Sequence, residues 1–496
     1  MARMLPPSIP PLRNIAVVSA AWLITSCTPA TETVQPSPQP QPHGPAEGSR
    51  GTADRPNILL IDIDTLRADR VTHVRDGTAV APVLRTMTKN GAHFEQAFAQ
   101  SGWTMPSLAT ILTGRYPVVA PEGGSLQWIE EGSRTLPEIF GMYDYHTAVF
   151  WGGTLASDYE LPSEGFDEVF RMEDGGEPSF HQPIARWLRN DVQEPFFVLV
   201  HNIDLHAPRP KPPSAALHRW HPEQPACDQA THLSALQQQL EPSLGHEGSV
   251  QHAIDHYDAT LLFYNHAIRS ILESLTDKKL GLRTVVVITS NHGEDLYEHG
   301  VIDHSMLYDT VLQVPLIIRD PALPQTGLAV DQPVQGIDLA PTLLARAGIP
   351  VDQNMDGQSL LPLLGMADGS YETRPHFSIT NINNAAIRHD GAKLILTNLA
   401  VDTAAQDQGP RLQDDPTTPP HLELYDLAVD PDEQHNLIDE QPERAAALEV
   451  ELQAWLLQQT QRAEGGTQLE VDAHAREVLQ ERGYWNLVKP EAPEQR

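Results

Sequence analysis

Apolar residues fall in runs along this chain rather than in alternation with polar ones. Asn57-Ile-Leu-Leu-Ile-Asp-Ile63 leads into Asp64, and Pro195-Phe-Phe-Val-Leu-Val200 leads into His201 and His206. Arg283-Thr-Val-Val-Val-Ile-Thr-Ser290 leads into Asn291-His292-Gly293-Glu294, and Thr147–Trp151 and Val314–Arg319 are two more such runs. Short unbroken apolar runs are the pattern of strands buried on both faces, as in parallel sheets. Between them lie helical stretches at Ala81–Asn90, Ala253–Thr276 and Gly336–Gly348, the last with proline near its start and glycine at its end. Strands alternating with helices predict an α/β fold: a mostly parallel sheet with helices on both faces. In such sheets ligands bind at the carboxyl ends of the strands, where Asp64, His206, Asn291 and His292 fall.

The pattern changes near Thr373. Ala385–Leu396 reads as two strands around an Asp390-Gly391 turn, Glu423–Leu427 as a third, and Pro442–Gln461 as a helix. These predict a small C-terminal antiparallel α+β subdomain over 373–496 beside a larger α/β domain over 55–372. Residues 208–250, rich in Pro, Gln and His, read as an insertion of loops and short helices that shapes a cleft.

The stretch Ser101-Gly-Trp-Thr-Met-Pro-Ser-Leu-Ala-Thr-Ile-Leu-Thr-Gly-Arg115 predicts a helix from about Pro106 to Leu112, with Thr104 in the turn before it. A hydroxyl there lies near unpaired backbone N–H groups and the positive end of the helix dipole, which favour an alkoxide or a bound oxyanion. The plain alternative is a helix cap.

Composition narrows the field. The formal net charge of −33 argues against nucleic acid, whose affinity comes largely from Lys and Arg contacts. Two cysteines, Cys27 and Cys227, make neither a disulfide framework nor a cysteine zinc site. The apolar run Ile15–Ile24 is short for a membrane span. With Leu23-Ile-Thr-Ser-Cys27 it resembles a bacterial lipoprotein signal, with a signal peptide over 1–26 and Cys27 as the acylated residue. Residues 27–54, rich in Pro, Thr, Gln, Ser and Gly, read as a disordered tether. This places a lipid-anchored domain in the bacterial cell envelope, at the outer membrane facing the periplasm or the surface.

Thr104-Met-Pro-Ser107 with Thr113-Gly-Arg115, Thr65-Leu-Arg-Ala-Asp69, His206-Ala-Pro208, Val314-Pro-Leu-Ile-Ile318 and Glu423-Leu-Tyr-Asp-Leu427 together resemble the sulfatase family of the alkaline phosphatase superfamily. The resemblance spans roughly residues 55 to 460. It implies that Asp64, Thr104, Asn291 and His292 hold one or two divalent metal ions: calcium, manganese or zinc. It implies Thr104, His206 and His304 as catalytic residues, and His201, His206 and His299 as contacts to an anionic ester.

Four departures stand out. Thr104 replaces the cysteine or serine that becomes formylglycine, and Leu108 replaces an arginine beside it. Asn291 and Thr65 stand where relatives often carry Asp, leaving Asp64 as the one assured carboxylate unless Asp62 or Asp295 turns inward. Asp62 shares a strand face with Asp64. An ester on an ordinary threonine has no hydrated aldehyde to expel it, which favours phosphoester or phosphonoester chemistry over sulfate. Two readings follow: a metal-dependent ester hydrolase or transferase using Thr104, or an impaired relative acting as a surface-tethered binding protein.

Overall fold

The computed structural model describes residues 55–119, 126–152, 165–172, 181–206, 220, 245–277, 279–300, 302–381, 384–397, 399–402, 411–414 and 421–463. The signal, the tether and most of the 208–250 insertion lie outside them. No helix among the described residues is long and apolar enough to cross a membrane.

The strands of the central sheet are β1 (Asn57–Ile63), β2 (Ala92–Phe98), β3 (His146–Gly152), β4 (Glu168–Met172), β5 (Phe196–Asn202), β6 (Thr284–Thr289), β7 (Gln313–Arg319), β8 (Leu328–Val330) and β9 (Val334–Gln335). Their order is β8-β2-β7-β6-β1-β5-β3-β4, with β9 also beside β2. The half from β6 to β4 is parallel throughout, while β7 runs antiparallel to both β6 and β2. The mostly parallel sheet predicted from the apolar runs is therefore present.

Alternation along the buried strands sorts side chains between two core layers. Leu59, Ile61, Val198, Val200, Val286 and Ile288 pack on one face. That face is covered by α1 (Pro82–Asn90), α4 (His181–Asn190) and α5 (Gly245–Asp277), where α5 starts before the expected Ala253. Ile58, Leu60, Phe197, Leu199, Val285, Val287 and Trp151 pack on the other. Here α2 (Thr104–Thr113), α3 (Leu136–Met142) and α7 (Leu339–Arg346) close the layer. Period two then carries Asp62 and His201 to the face that bears α2.

The C-terminal part is a four-stranded antiparallel sheet, β10 (His376–Asn381), β11 (Asn384–His389), β12 (Ala392–Thr397) and β13 (His421–Asp426), with α8 (Pro442–Ala463) against it. Its contact with the rest of the protein combines apolar packing, as of Leu307 and Leu312 on Ala386 and Ile395, with a buried ionic group. Lys393, 1% exposed, sends its ammonium to Asp309 and Glu433, each at 2.7 Å. Arg388 also pairs with Asp309, and Glu433 accepts the Asp309 backbone N–H. Asp309 opens the short helix α6 (Asp309–Leu312), five residues after His304.

Burial pushes the Glu433 carboxyl up to about 7, with Lys393 drawing it down and Asp309 pushing it further up. The folded protein keeps this proton between the ordinary value of 4.5 and about 7, where the unfolded chain has lost it. Stability from this group is complete below that window and is lost as pH rises through it. Glu433→Gln is expected to flatten this part of the stability curve. Urea midpoints measured across the window check it, and an unaltered slope would refute the assignment.

Candidate active site

The site is built on α2. Pro106 and Ser107 sit in its first turn and Gly114 closes it with a left-handed φ of 68°. The helix begins at Thr104 itself, two residues ahead of the start predicted at Pro106, because Pro106 is tolerated within a first turn. Ser107 ties the entry by donating from Oγ to the Ser101 carbonyl at 2.7 Å, while the Trp103 N–H reaches Ser101 Oγ at 3.2 Å.

Thr104 is not a cap. Its hydroxyl donates to Asp64 Oδ2 at 3.2 Å and lies 3.3 Å from His292 Nε2. Three separate segments, the end of β1, the start of α2 and the loop after β6, thus meet at one oxygen. His292 Nδ1 donates to the Gly293 carbonyl at 2.9 Å. In the neutral ring Nε2 is then a lone pair. Burial, reinforced by the nearby His304, holds the His292 imidazolium well below its ordinary range, so the ring is neutral at pH 7. Its Nε2 lies 3.3 Å from Asp64 Oδ1. Two acceptors face each other there with no donor between them, and a positive charge relieves that repulsion.

Unpartnered atoms gather at the same place. Asp62 Oδ1, Asp64 Oδ1 and Asn291 Nδ2 are buried without a hydrogen-bond partner. Thr65 follows Asp64 with φ of 57°, its Oγ1 also buried without a partner. Among the described residues, no three His, Cys, Asp or Glu side chains form a group that could hold a metal by themselves. Two of the four residues implied as ligands, Thr104 and Asn291, are of other types.

His304 stacks on His292, with centroids 4.4 Å apart at 23°, and His206 leans on His304 at 5.1 Å. His304 Nδ1 donates to the Gly102 carbonyl at 2.8 Å. Only glycine fits at 102, since a β-carbon there would stand 2.2 Å from the His304 carbonyl oxygen. Gly102 was not singled out by sequence reasoning, and its position two residues before Thr104 was the available signal.

His201 lies one strand over. Its Nδ1 donates to Asp62 Oδ2 at 2.7 Å, and its Nε2 is 3.9 Å from Asp64 Oδ2. Burial disfavours the His201 imidazolium, but the hydrogen bond and charge of Asp62, with Asp64 behind, outweigh it and raise the group. Burial likewise raises the Asp62 carboxyl, against the pull of His201. The two carboxylates thus favour a positive charge at His201, carried by a proton or by a neighbouring cation.

Two expected residues have other work. His299 pairs with Asp295, stacks on Tyr308 at 3.6 Å and lies 3.3 Å from the Asp432 carbonyl. None of these partners belongs to the Thr104 cluster, and through them His299 ties its loop to the segment around Asp432. Asp295, considered as a substitute metal ligand, is committed to His299 and to Thr310, whose hydroxyl donates at 3.0 Å. Arg115 pairs with Glu130 and Asp352, which fits a packing role.

Leu108 is 2% exposed within the apolar layer between α2 and the sheet. Leu108→Arg is expected to destabilise the protein by about 3–5 kcal/mol, because an unpaired guanidinium enters an apolar layer. A melting temperature equal to wild type would contradict this.

The parallel sheet, with a hydroxyl at a helix start facing a strand-end carboxylate and imidazole, defines an alkaline-phosphatase-like α/β protein. The sulfatase family model matches residues 56–349, and the chain belongs to the sulfatase family. It is 24% identical over 368 residues to the ulvan-active sulfatase of Formosa agariphila, covering 67% of each chain. It is 23% identical to human arylsulfatase K, over 82% of this chain and 84% of that one. Among solved structures, the phosphonate monoester hydrolase of Agrobacterium radiobacter superposes with a TM-score of 0.60 at 19% identity, over 82% of this chain and 96% of that one.

Proposed function

We propose that this protein is a metal-dependent hydrolase or transferase of anionic esters that uses Thr104 as its nucleophile. The carrying observation is the convergence of Asp64 and His292 on the Thr104 hydroxyl. Asp64, His292, Thr104 and Asn291 would hold a divalent cation. The unpartnered Asp64 oxygen, and the two facing acceptors 3.3 Å apart, fit such a charge. When bound, the cation polarises the ester oxygens and lowers the pKa of a coordinated hydroxyl.

The side chains divide the remaining work. Asp64 accepts the Thr104 proton and holds the hydroxyl at the mouth of α2, where the helix dipole favours the developing negative charge. Thr104 Oγ1 attacks the sulfur or phosphorus, forming a covalent ester and releasing the alcohol. His304, stacked on His292, and His206, tilted against His304, would protonate the leaving oxygen or hold a non-bridging one. Water or another alcohol then attacks the sulfur or phosphorus, taking the sulfuryl or phosphoryl group and returning the Thr104 hydroxyl. Relatives named for sulfate esters and a structural neighbour named for phosphonate monoesters support an anionic ester as substrate. A simple threonine ester favours the phosphorus-centred members of that class. Cys27 would carry a lipid that tethers the domain to the bacterial envelope, and membrane fractionation of a Cys27→Ala variant tests that.

The test is a panel of aryl sulfate, phosphate monoester, phosphate diester and phosphonate monoester substrates, assayed with added calcium, manganese or zinc. Faster turnover of phosphodiester or phosphonate than of sulfate supports the reading. No turnover with any ion would favour a binding protein. In either case Asn291→Asp, which adds a carboxylate, is expected to tighten ion binding about tenfold, as an added charged ligand does.

A further inference from the structure

Asp62 and His201 are an unusual pair to bury. Asp62 is fully buried and His201 is 1% exposed, and they are register partners across β1 and β5. The next partner along that row is Trp151 on β3, which meets the His201 ring edge-to-face at 5.2 Å. The imidazole is therefore fixed on both sides by strands that cannot shift without breaking the sheet. Its Nδ1 is committed to Asp62 at 2.7 Å, which turns Nε2 toward Asp64.

That arrangement repeats what His292 does. Each ring anchors Nδ1 on an acceptor, Asp62 in one case and the Gly293 carbonyl in the other. Each points Nε2 at a different oxygen of Asp64, at 3.9 and 3.3 Å. A histidine whose second nitrogen is held by a carboxylate is the usual arrangement of a metal-binding imidazole. Two ligand bonds to one transition ion span at most about 4.2 Å end to end, so both separations lie within reach of a shared ion. Beside Asp64, Thr65 offers only a hydroxyl where a second carboxylate is missing.

Resting on the reading of Thr104 and Asp64 as a cation centre, we propose that His201 is a further imidazole donor to that cation, with Asp62 as the carboxylate that orients it. The two imidazoles and one carboxylate do not make a site by themselves, and the Thr104 hydroxyl and Asn291 amide complete the donor set. Imidazole-rich sets favour zinc or manganese over calcium, which takes oxygen ligands.

Isothermal titration of the metal-stripped full chain with zinc, manganese and calcium tests this without recourse to activity. Wild type is expected to bind zinc and manganese more tightly than calcium. Asp62→Asn, nearly isosteric, and His201→Gln are each expected to weaken zinc binding by about 10- to 100-fold. Their calcium affinity is expected to change less than about threefold, since calcium gains little from imidazole. Circular dichroism and thermal melts of the stripped proteins establish that both variants fold. If a variant does not fold, His201→Asn replaces it. Folded variants that bind zinc as wild type does would make the pair a core element only and overturn the inference, leaving the cation centre intact. A wild type that binds none of the three ions would overturn the cation reading itself, and this inference with it.

Discussion

Thr104→Ala is expected to lower kcat by about 10⁴-fold or more on the best ester substrate, since removing a covalent nucleophile leaves only binding and electrostatic stabilisation. The fold should not suffer, because the Thr104 side chain makes no cap bond and its partners Asp64 and His292 remain. Thr104→Ser keeps the hydroxyl and is expected to retain measurable turnover. A burst of product equal to the enzyme concentration in wild type, absent in Thr104→Ala, would report the covalent ester directly. Equal rates in Thr104→Ala and wild type would remove Thr104 from the mechanism.

Lys393→Met is expected to be among the most damaging changes for stability, on a par with Leu108→Arg. The ammonium stands between Asp309 and Glu433, with Lys393 and Glu433 buried and the Asp309 side chain 12% exposed. Removing one member of a buried ionic group leaves uncompensated charge, at a cost of about 3–5 kcal/mol. Lys393 and Arg388 together hold the Asp309 carboxyl below its ordinary value against the cost of burial, so Asp309 in particular loses support. Because Asp309 opens the helix that follows the His304 loop, the loss reaches the active-site side as well as the C-terminal sheet. Urea unfolding gives the magnitude, and a loss under about 1 kcal/mol would show that the structure tolerates the uncovered carboxylates.

Much of this architecture is legible along the chain because buried parallel strands cannot be written any other way. Runs such as Asn57–Ile63 and Thr284–Thr289 must be apolar on both faces, and the polar residues that end them fall at the ligand-binding edge. Asp64, Asn291 and His292 fall at that edge, whereas Thr104 stands out by its place at a helix start and by the resemblance of its flanks to the sulfatase pattern. Strand alternation also puts Asp62 on the Asp64 face, and the structure bears that out through their common neighbour His201.

What the chain alone leaves open concerns partners distant in sequence. For an isolated helix start, a threonine is more often a cap than a nucleophile. Packing brings Asp64, 40 residues away, and His292, 188 residues away, to its hydroxyl in place of a cap bond. His299 and His304 lie on one loop and look alike in sequence. Tertiary contact sends one to Asp295 and the Asp432 carbonyl, and stacks the other on His292. Gly102 is required only because the His304 backbone passes against it. Periodicity and end signals are local and fix which face a residue occupies. A hydrogen bond's partner is fixed by the crossing of chains, and only the assembled sheet with α2 laid across it settles which oxygen meets which imidazole.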